Sequence, residues 1–332
     1  MAEENKIVRL KDIAEALNTS INTVSHALKD KPDISVEMKN KVKKKAMELG
    51  YFPNIVAASL RNGSSKVIAV VFDNLLNPYY MIMADLITTK LLNSKYATFI
   101  YRLDKGNFSM DVLFKIFSRK VDGIISFSEP GNEICEFCRR LNMPLVLVGR
   151  KNESLNISCV YTDDIKGGYL ACETLIKAGC KNVAYLGNPF AIECSRRRKE
   201  GFIKYLEEND FDLNYEHYLF LKEDNEIINK YVDKFIEDEV DGIFCFNDMM
   251  ALDVIRYLHI RNIKVPEQIK VIGYDNLDEN FPLPFNLSSV GSNKNQIIDV
   301  ALDLLFKQIL ENRHINDAVE LGINIVLKET CL

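Results

Sequence analysis

Tryptophan is absent from this chain and histidine is scarce, with four in 332 residues. The first absence rules out tryptophan fluorescence as a reporter of unfolding. The second bears on chemistry: His26, His217, His259 and His314 lie at unrelated places, so no ligand set for a hydrolytic metal can be assembled from them. No Gly-rich phosphate loop is present, and no Ser-His or Cys-His pair has a spacing that supports an activated nucleophile. An enzyme is therefore not expected. No apolar run approaches the length needed to cross a bilayer, and the opening residues Met-Ala-Glu-Glu-Asn are acidic rather than those of a signal peptide, so a cytoplasmic location is the expectation. Of the eight cysteines, Cys135 and Cys138 form the single close pair, and no second pair completes a tetrahedral zinc site. Reduced structural thiols, no metal and no cofactor are expected.

What is present is a soluble-type composition, 47% hydrophobic and 27% charged, in a chain long enough for two or three compact units. The charge is unevenly divided. Residues 1–66 carry a formal +4 within an overall −5, which leaves −9 for the remainder. A basic segment attached to an acidic body suits a part that touches nucleic acid and a part held off it by repulsion.

The basic segment has its own pattern. Ile13, Ala14 and Leu17 share one face of a first short helix, and Val24, Ala27 and Leu28 one face of a second. Between them, Asn18 tolerates the left-handed backbone of a tight corner, and Thr19 or Ser20 can cap the next helix. With the apolar face inward, Ile21, Asn22, Ser25 and His26 project outward. Asn22 and His26 can hydrogen-bond base edges, Ile21 can meet a thymine methyl, and Thr23 or Ser25 can hold a phosphate. A third helix runs from Ser35 to Leu49, with Met38, Val42, Ala46 and Leu49 on one side, and Gly50 ends it. Its lysines, 39, 41 and 43 to 45, are either a solvated face or a phosphate-neutralising one. After Pro53, residues 54–61 read as one more helix, too short to be stable alone, which suggests folding coupled to binding.

Beyond the joint Gly63-Ser64-Ser65, strands alternate with helices. Residues 67–72, 97–101, 123–127 and 145–148 read as buried strands, and 183–186, 218–221, 242–246 and 270–273 as a second series. This is the pattern of doubly wound parallel sheets. Two such lobes place a ligand cleft at the carboxyl ends of both sets of strands. Strand-end logic selects Tyr79, Tyr80, the stretch from Ser126 to Glu129, Arg150, Asn247, Asp248 and Asp275 as its lining.

Residues 9–62, together with Ile-Ala-Val-Val at 68–71, Asn-Pro-Tyr-Tyr at 77–80, Val-Asp-Gly-Ile-Ile at 121–125, Asn-Asp-Met-Met-Ala-Leu at 247–252 and Val-Ile-Gly-Tyr-Asp-Asn at 271–276, resemble the lactose/purine repressor family of bacterial transcriptional regulators. The resemblance covers nearly the whole chain. It implies a small all-α helix-turn-helix DNA-binding domain (1–52), a hinge helix and linker (53–66), and a two-lobed α/β sensor like periplasmic binding proteins. The chain would cross between lobes three times, with 67–164 and 291–318 in lobe 1 and 165–290 and 319–332 in lobe 2.

Residue by residue, the resemblance places base reading on Ile21, Asn22 and His26, and minor-groove hinge contacts on Ala57, Leu60 and Arg61. The paired Leu60 side chains would wedge a central base step, and Arg61 would sit in the narrowed groove. It adds Arg198, on the Arg-Lys-Glu-Gly-Phe segment, to the effector site, where Arg198, Asn247 and Asp275 carry over most strongly. A guanidinium, an amide and a carboxylate can pair with vicinal hydroxyls, and Tyr79 and Tyr80 can stack on a ring face. Thr19 and Ala58 depart from the family pattern.

The expected partners are a near-palindromic double-stranded operator, a second copy of the chain, and a small effector, with no membrane. The chain ends shortly after its last strand without a heptad extension, so a dimer is expected rather than a tetramer. A neutral sugar or oligosaccharide is the favoured effector. A purine, a nucleoside or a sugar phosphate that Arg150 would answer, control by a partner protein, and a solute-binding module without DNA function are the alternatives.

Overall fold

The computed structural model describes residues 8–51, 63–104, 106–188, 192–221 and 228–332. The hinge helix expected over 54–61, with Ala57, Leu60 and Arg61, lies outside the described residues. The chain forms two compact units, Met1–Ser65 and Lys66–Leu332.

The first unit consists of α1 (Leu10–Ala16), α2 (Ile21–Leu28) and α3 (Val36–Leu49). Ile13, Ala14, Val24, Ala27, Val42 and Ala46 are its buried core, bordered by Leu10, Leu17, Leu28, Ile34, Met38 and Tyr51. Asn18 adopts φ 52° at the corner between α1 and α2. The hydroxyl of Ser20 accepts the Thr23 amide at 3.0 Å, so Ser20 rather than Thr19 caps α2. Ser35 caps α3, which closes on Gly50 at φ 69°.

The second unit begins with β1 (Val67–Phe72), α4 (Pro78–Asn93), β2 (Ala97–Arg102), α5 (Met110–Phe117), β3 (Gly123–Ser126), α6 (Asn132–Arg140), β4 (Leu145–Val148) and β5 (Ser158–Thr162). The chain then enters a second lobe through α7 (Asp164–Lys177), β6 (Val183–Gly187), α8 (Ile192–Glu208), β7 (Tyr218–Phe220), α9 (Asn229–Glu237), β8 (Gly242–Cys245), α10 (Asp248–Ile260), β9 (Lys270–Tyr274) and β10 (Ser288–Gly291). It returns to the first lobe with α11 (Lys294–Glu311) and β11 (Ala318–Leu321), and ends in the second with β12 (Asn324–Val326). The sheet orders are β11-β5-β4-β3-β1-β2 and β12-β10-β9-β8-β6-β7. The first sheet is wholly parallel, and the second is parallel except for β12.

Each sheet is buried on both faces, which is why its strands are continuous apolar runs rather than alternating ones. In the first, Ile68, Val70 and Phe72 face α4 and α11, while Ala69 and Val71 face α5 and α6. In the second, Ala184 and Leu186 face α9 and α10, and Val183 and Tyr185 face α7 and α8. One boundary is corrected. The second lobe does not resume at residue 319, because Ala318–Leu321 pairs parallel to β5 in the first sheet and only Asn324–Val326 joins the second. Gly322 and Ile323 separate the two strands, so the third crossing falls there.

All eight cysteines are buried and unbridged. Burial pushes the Cys135 thiol up to about 11 and that of Cys138 up to about 12. Among the described residues no cluster of His, Cys, Asp and Glu could hold a metal ion, and no helix is long and apolar enough to cross a membrane.

Candidate functional site

Strands β1, β3, β5, β6, β8 and β10 each lead into a helix, so helix amino termini from both lobes converge on the cleft between the sheets. The cavity there, about 110 Å³ in volume, is lined by Tyr79, Tyr80, Arg150, Arg198, Asn247 and Asp275 among others. Of the residues expected from sequence to line it, Asp248 is missing, and of the stretch from Ser126 to Glu129 only Phe127 is present.

Arg198 is held more tightly than any other side chain in the cavity. Its Nε donates to Asp164 at 2.8 Å and its Nη1 to the Phe246 carbonyl at 2.6 Å. The Tyr274 ring lies 3.4 Å from the guanidinium carbon and the Phe246 ring 4.6 Å away, and the Tyr274 hydroxyl donates to the same Asp164 carboxylate. Nη2 has no protein partner among the described residues. This geometry follows from two glycines. A Cβ on Gly168 would stand 1.9 Å from the Arg198 carbonyl oxygen, and one on Gly201 1.8 Å from that of Ile165. The backbones of α7 and α8 therefore touch at glycine, which brings Arg198 on one helix against Asp164 on the other.

Asn247 caps α10, its side-chain oxygen accepting the Met250 amide at 2.9 Å. That bond fixes the amide's orientation, and its NH2 group, with no partner among the described residues, is the end left for the cavity. Asp275 follows β9 at φ 105°, a conformation rare for any residue but glycine. Its amide donates to Val290 at 2.7 Å, while its carboxylate has no hydrogen-bond partner among the described residues. Burial pushes the Asp275 carboxyl up to about 6, against the opposing pull of Arg198.

The unusual backbone of Asp275 is held from behind, and here Asp248 finds its place. It is buried, and its carboxylate accepts the Leu277 amide at 2.7 Å and the Ser289 hydroxyl at 2.6 Å. Ser289 in turn accepts the Asn276 amide, and Lys294 donates to the Asn276 carbonyl. Asp248 is thus corrected from a lining residue to a positioning residue. As the first residue of α10 its side chain turns into the lobe, toward Gly273 and the loop after β9.

The first lobe supplies an aromatic wall. Phe72 and Phe127 stack with ring centres 4.6 Å apart, Tyr80 sets its edge on Phe127 at 6.0 Å, and Tyr79 meets Tyr80 at 5.5 Å. Sequence reasoning missed Tyr161, Thr162, Cys194, Tyr274 and Ser292, which also line the cavity. The first two lie at the end of β5, a strand whose Ser-Cys-Val-Tyr-Thr composition is less apolar than its neighbours. Arg196 and Arg197 turn away, to Glu193 and Glu200 and to Asp163 respectively.

In the first unit, Ile21 is 49% exposed and Asn22 is exposed at the start of α2, on the face opposite Val24 and Ala27. Thr23 shares a hydrogen bond with Ser20, and Ser25 is half-buried. His26 is half-buried too, its Nδ1 2.5 Å from the Asp33 carboxylate, which leaves Nε2 as the ring atom free to meet a base. The His26 contact holds the Asp33 carboxyl below the usual range. The α3 lysines mostly have partners already: Lys43 and Lys39 bond Asp30, Lys41 pairs with Glu37 and Lys45 with Glu48. Lys44 has none among the described residues.

Comparison with known proteins matches residues 9–54 to the model for bacterial regulatory proteins of the lacI family, and residues 172–331 to a periplasmic binding protein-like domain. The HTH-type transcriptional repressor PurR of Mannheimia succiniciproducens is 26% identical over 331 residues, covering 97% of this chain and 98% of that one. Among solved structures, the lac repressor dimer bound to operator and the anti-inducer ONPF aligns with TM-score 0.81 at 20% identity, over 98% of this chain and all of that one. The complex of the transcriptional regulator CelR with cellobiose aligns with TM-score 0.68 at 20% identity, over 97% and 99%. The chain thus joins a lacI-type helix-turn-helix domain to a periplasmic binding protein-like domain, and over nearly its whole length it is similar to a purine-repressor relative.

Proposed function

We propose that the chain is a ligand-responsive transcriptional repressor. In this reading it binds a near-palindromic operator as a dimer through Ile21, Asn22 and His26 of α2, with Thr23 and Ser25 toward the phosphates. A small polyhydroxylated molecule, a sugar in the first instance, sets its operator affinity from the cleft. One observation carries the reading: Arg198, Asn247 and Asp275, from three separate elements, line one cavity with a guanidinium nitrogen, an amide nitrogen and a carboxylate that have no protein partner among the described residues. Two donors and an acceptor on rigid supports match adjacent hydroxyls, and the wall of Tyr79, Tyr80 and Phe127 suits the apolar face of a ring. Binding between lobes that must close on the ligand gives a differential affinity for two arrangements of the sensor, which is what control of the reader requires.

A purine base is the second reading, favoured by the same aromatic wall. Thermal unfolding followed by calorimetry, against sugars, nucleosides and purines, separates the two. A true ligand at about 100 times its Kd stabilises by ~2.7 kcal/mol, and that gain disappears in Asp275→Ala. Silence across the panel from a protein that still binds DNA removes the small-molecule reading and leaves control by a partner protein.

A further inference from the structure

The cavity holds a second arginine that makes no ion pair among the described residues. Arg150 follows β4 on the first-lobe side, half-buried, and its Nε is buried without a hydrogen-bond partner among the described residues. No carboxylate among the described residues lies within ion-pair distance of it. Its surroundings sharpen the contrast. A more polar hollow of about 320 Å³ adjoins the main cavity and shares Arg150, Tyr161, Thr162 and Cys194 with it. The other two cations there are paired, Lys151 with Glu153 at 2.7 Å and Arg197 with Asp163 at 3.8 Å. Arg198 is neutralised by Asp164. Glu129, on the neighbouring strand end, instead accepts a hydrogen bond from Asn152. Of the cations there, Arg150 has no ion pair among the described residues; its charge is met only at longer range, by the Asp73 and Glu129 carboxylates, which leaves its guanidinium fork open to an anion.

Resting on the cleft-sensor reading above, we infer that the effector carries an anionic group, phosphate or carboxylate, bound by Arg150, while its hydroxyls are held at Arg198, Asn247 and Asp275. The site is then bipolar. Its second-lobe end, with the carboxylate of Asp275, reads hydroxyls. Its first-lobe end reads negative charge at Arg150 itself, because the neighbouring hollow is lined by the carboxylates of Glu153, Asp164, Glu193 and Glu320. A planar guanidinium fork is the side chain best matched to a phosphate or carboxylate. This separates the chain from the regulator whose solved complex holds neutral cellobiose.

The test uses matched pairs on the full chain, read by calorimetric unfolding: glucose, glucose 6-phosphate and glucuronate; fructose and fructose 1-phosphate; ribose and ribose 5-phosphate; cellobiose and its 6-phosphate; adenosine and its 5′-monophosphate. Inorganic phosphate alone is the control. The expected result is that the anionic member of at least one pair binds about tenfold or more tightly than its neutral partner. Arg150→Gln should abolish that preference, Arg150→Lys should retain part of it, and Lys151→Met should leave it intact. Comparing ligand-free melting of the variants shows whether any has lost its fold, and the lysine variant keeps the test open if the glutamine one does. A neutral sugar that binds as well as its phosphate, or an anion preference that survives in Arg150→Gln, overturns the proposal while leaving the cleft sensor standing. Silence for every compound, neutral and anionic, overturns both together.

Discussion

The reader and the sensor are built to opposite plans. The reader closes on six buried apolar side chains, three of them alanine, and owes its shape to Asn18, Ser20, Ser35 and Gly50 at helix ends. The sensor sandwiches each of two six-stranded sheets between apolar clusters on both faces. A thin core makes a small domain marginal, and such a domain presents its chemistry outward, on the exposed turns of α2. A thick core can bury charge, and the sensor does so with Arg198 and Asp164. The difference teaches where each unit is vulnerable: the reader at its packing and caps, the sensor at its buried polar contacts.

The largest expected effect breaks the sensor at such a contact. Arg198→Ala leaves the Asp164 carboxylate buried without its partner and should cost ~3–5 kcal/mol in denaturant unfolding of the second unit, together with all ligand response. An unchanged midpoint would mean that the pair is ornamental to stability. Next comes the reader's core. Ile13→Ala should cost ~2–5 kcal/mol, enough to abolish operator binding while the sensor's own calorimetric transition stays in place. If both transitions fall together, the two units do not unfold separately.

A third expectation concerns pH. Because burial raises the Asp275 carboxyl to about 6, a ligand that hydrogen-bonds its ionised form should bind about tenfold more weakly for each pH unit below 6. The sign for stability is opposite. The native state binds this proton more tightly than the unfolded chain, so this group's contribution to stability is fully present below about 4 and is lost as pH rises through about 6. Asp275→Asn should flatten the ligand's pH profile, and a slope that persists in that variant assigns it elsewhere. The smallest effect is at a cap: Ser20→Ala should destabilise the reader by ~1 kcal/mol and lower its melting temperature without changing the sensor's.

Legibility in the sequence follows the same division. The strands that could be read directly, such as Val67–Phe72 and Gly242–Cys245, are apolar because both faces of their sheets are covered. Ser158–Thr162 and Ser288–Gly291 escaped notice, and the terminal segment assigned whole to the second lobe divides into Ala318–Leu321 and Asn324–Val326 in different sheets. They are short, carry Ser, Thr, Glu or Asn, and adjoin the crossings between lobes, where local periodicity says little. Site residues at strand ends, Tyr79, Tyr80, Asn247 and Asp275, were legible because topology alone puts them at the cleft. The role of Asp164 was not, since it depends on the close crossing of α7 and α8 at Gly168 and Gly201, which is a tertiary fact. Asp248 was misplaced for a related reason: adjacent residues at a helix start face different ways, and only the folded loop after β9 shows which one is claimed by the lobe.

The central claim is that occupancy of the cleft is felt by the reader. The direct measurement is operator affinity, by fluorescence anisotropy on a site selected from random duplexes, with and without the compound that stabilises the sensor. A coupled repressor should show a change of about 5- to 150-fold in either direction, and Asp275→Ala should bind the same operator with no response to the compound. Operator affinity that stays constant while calorimetry shows the cleft saturated would contradict the account.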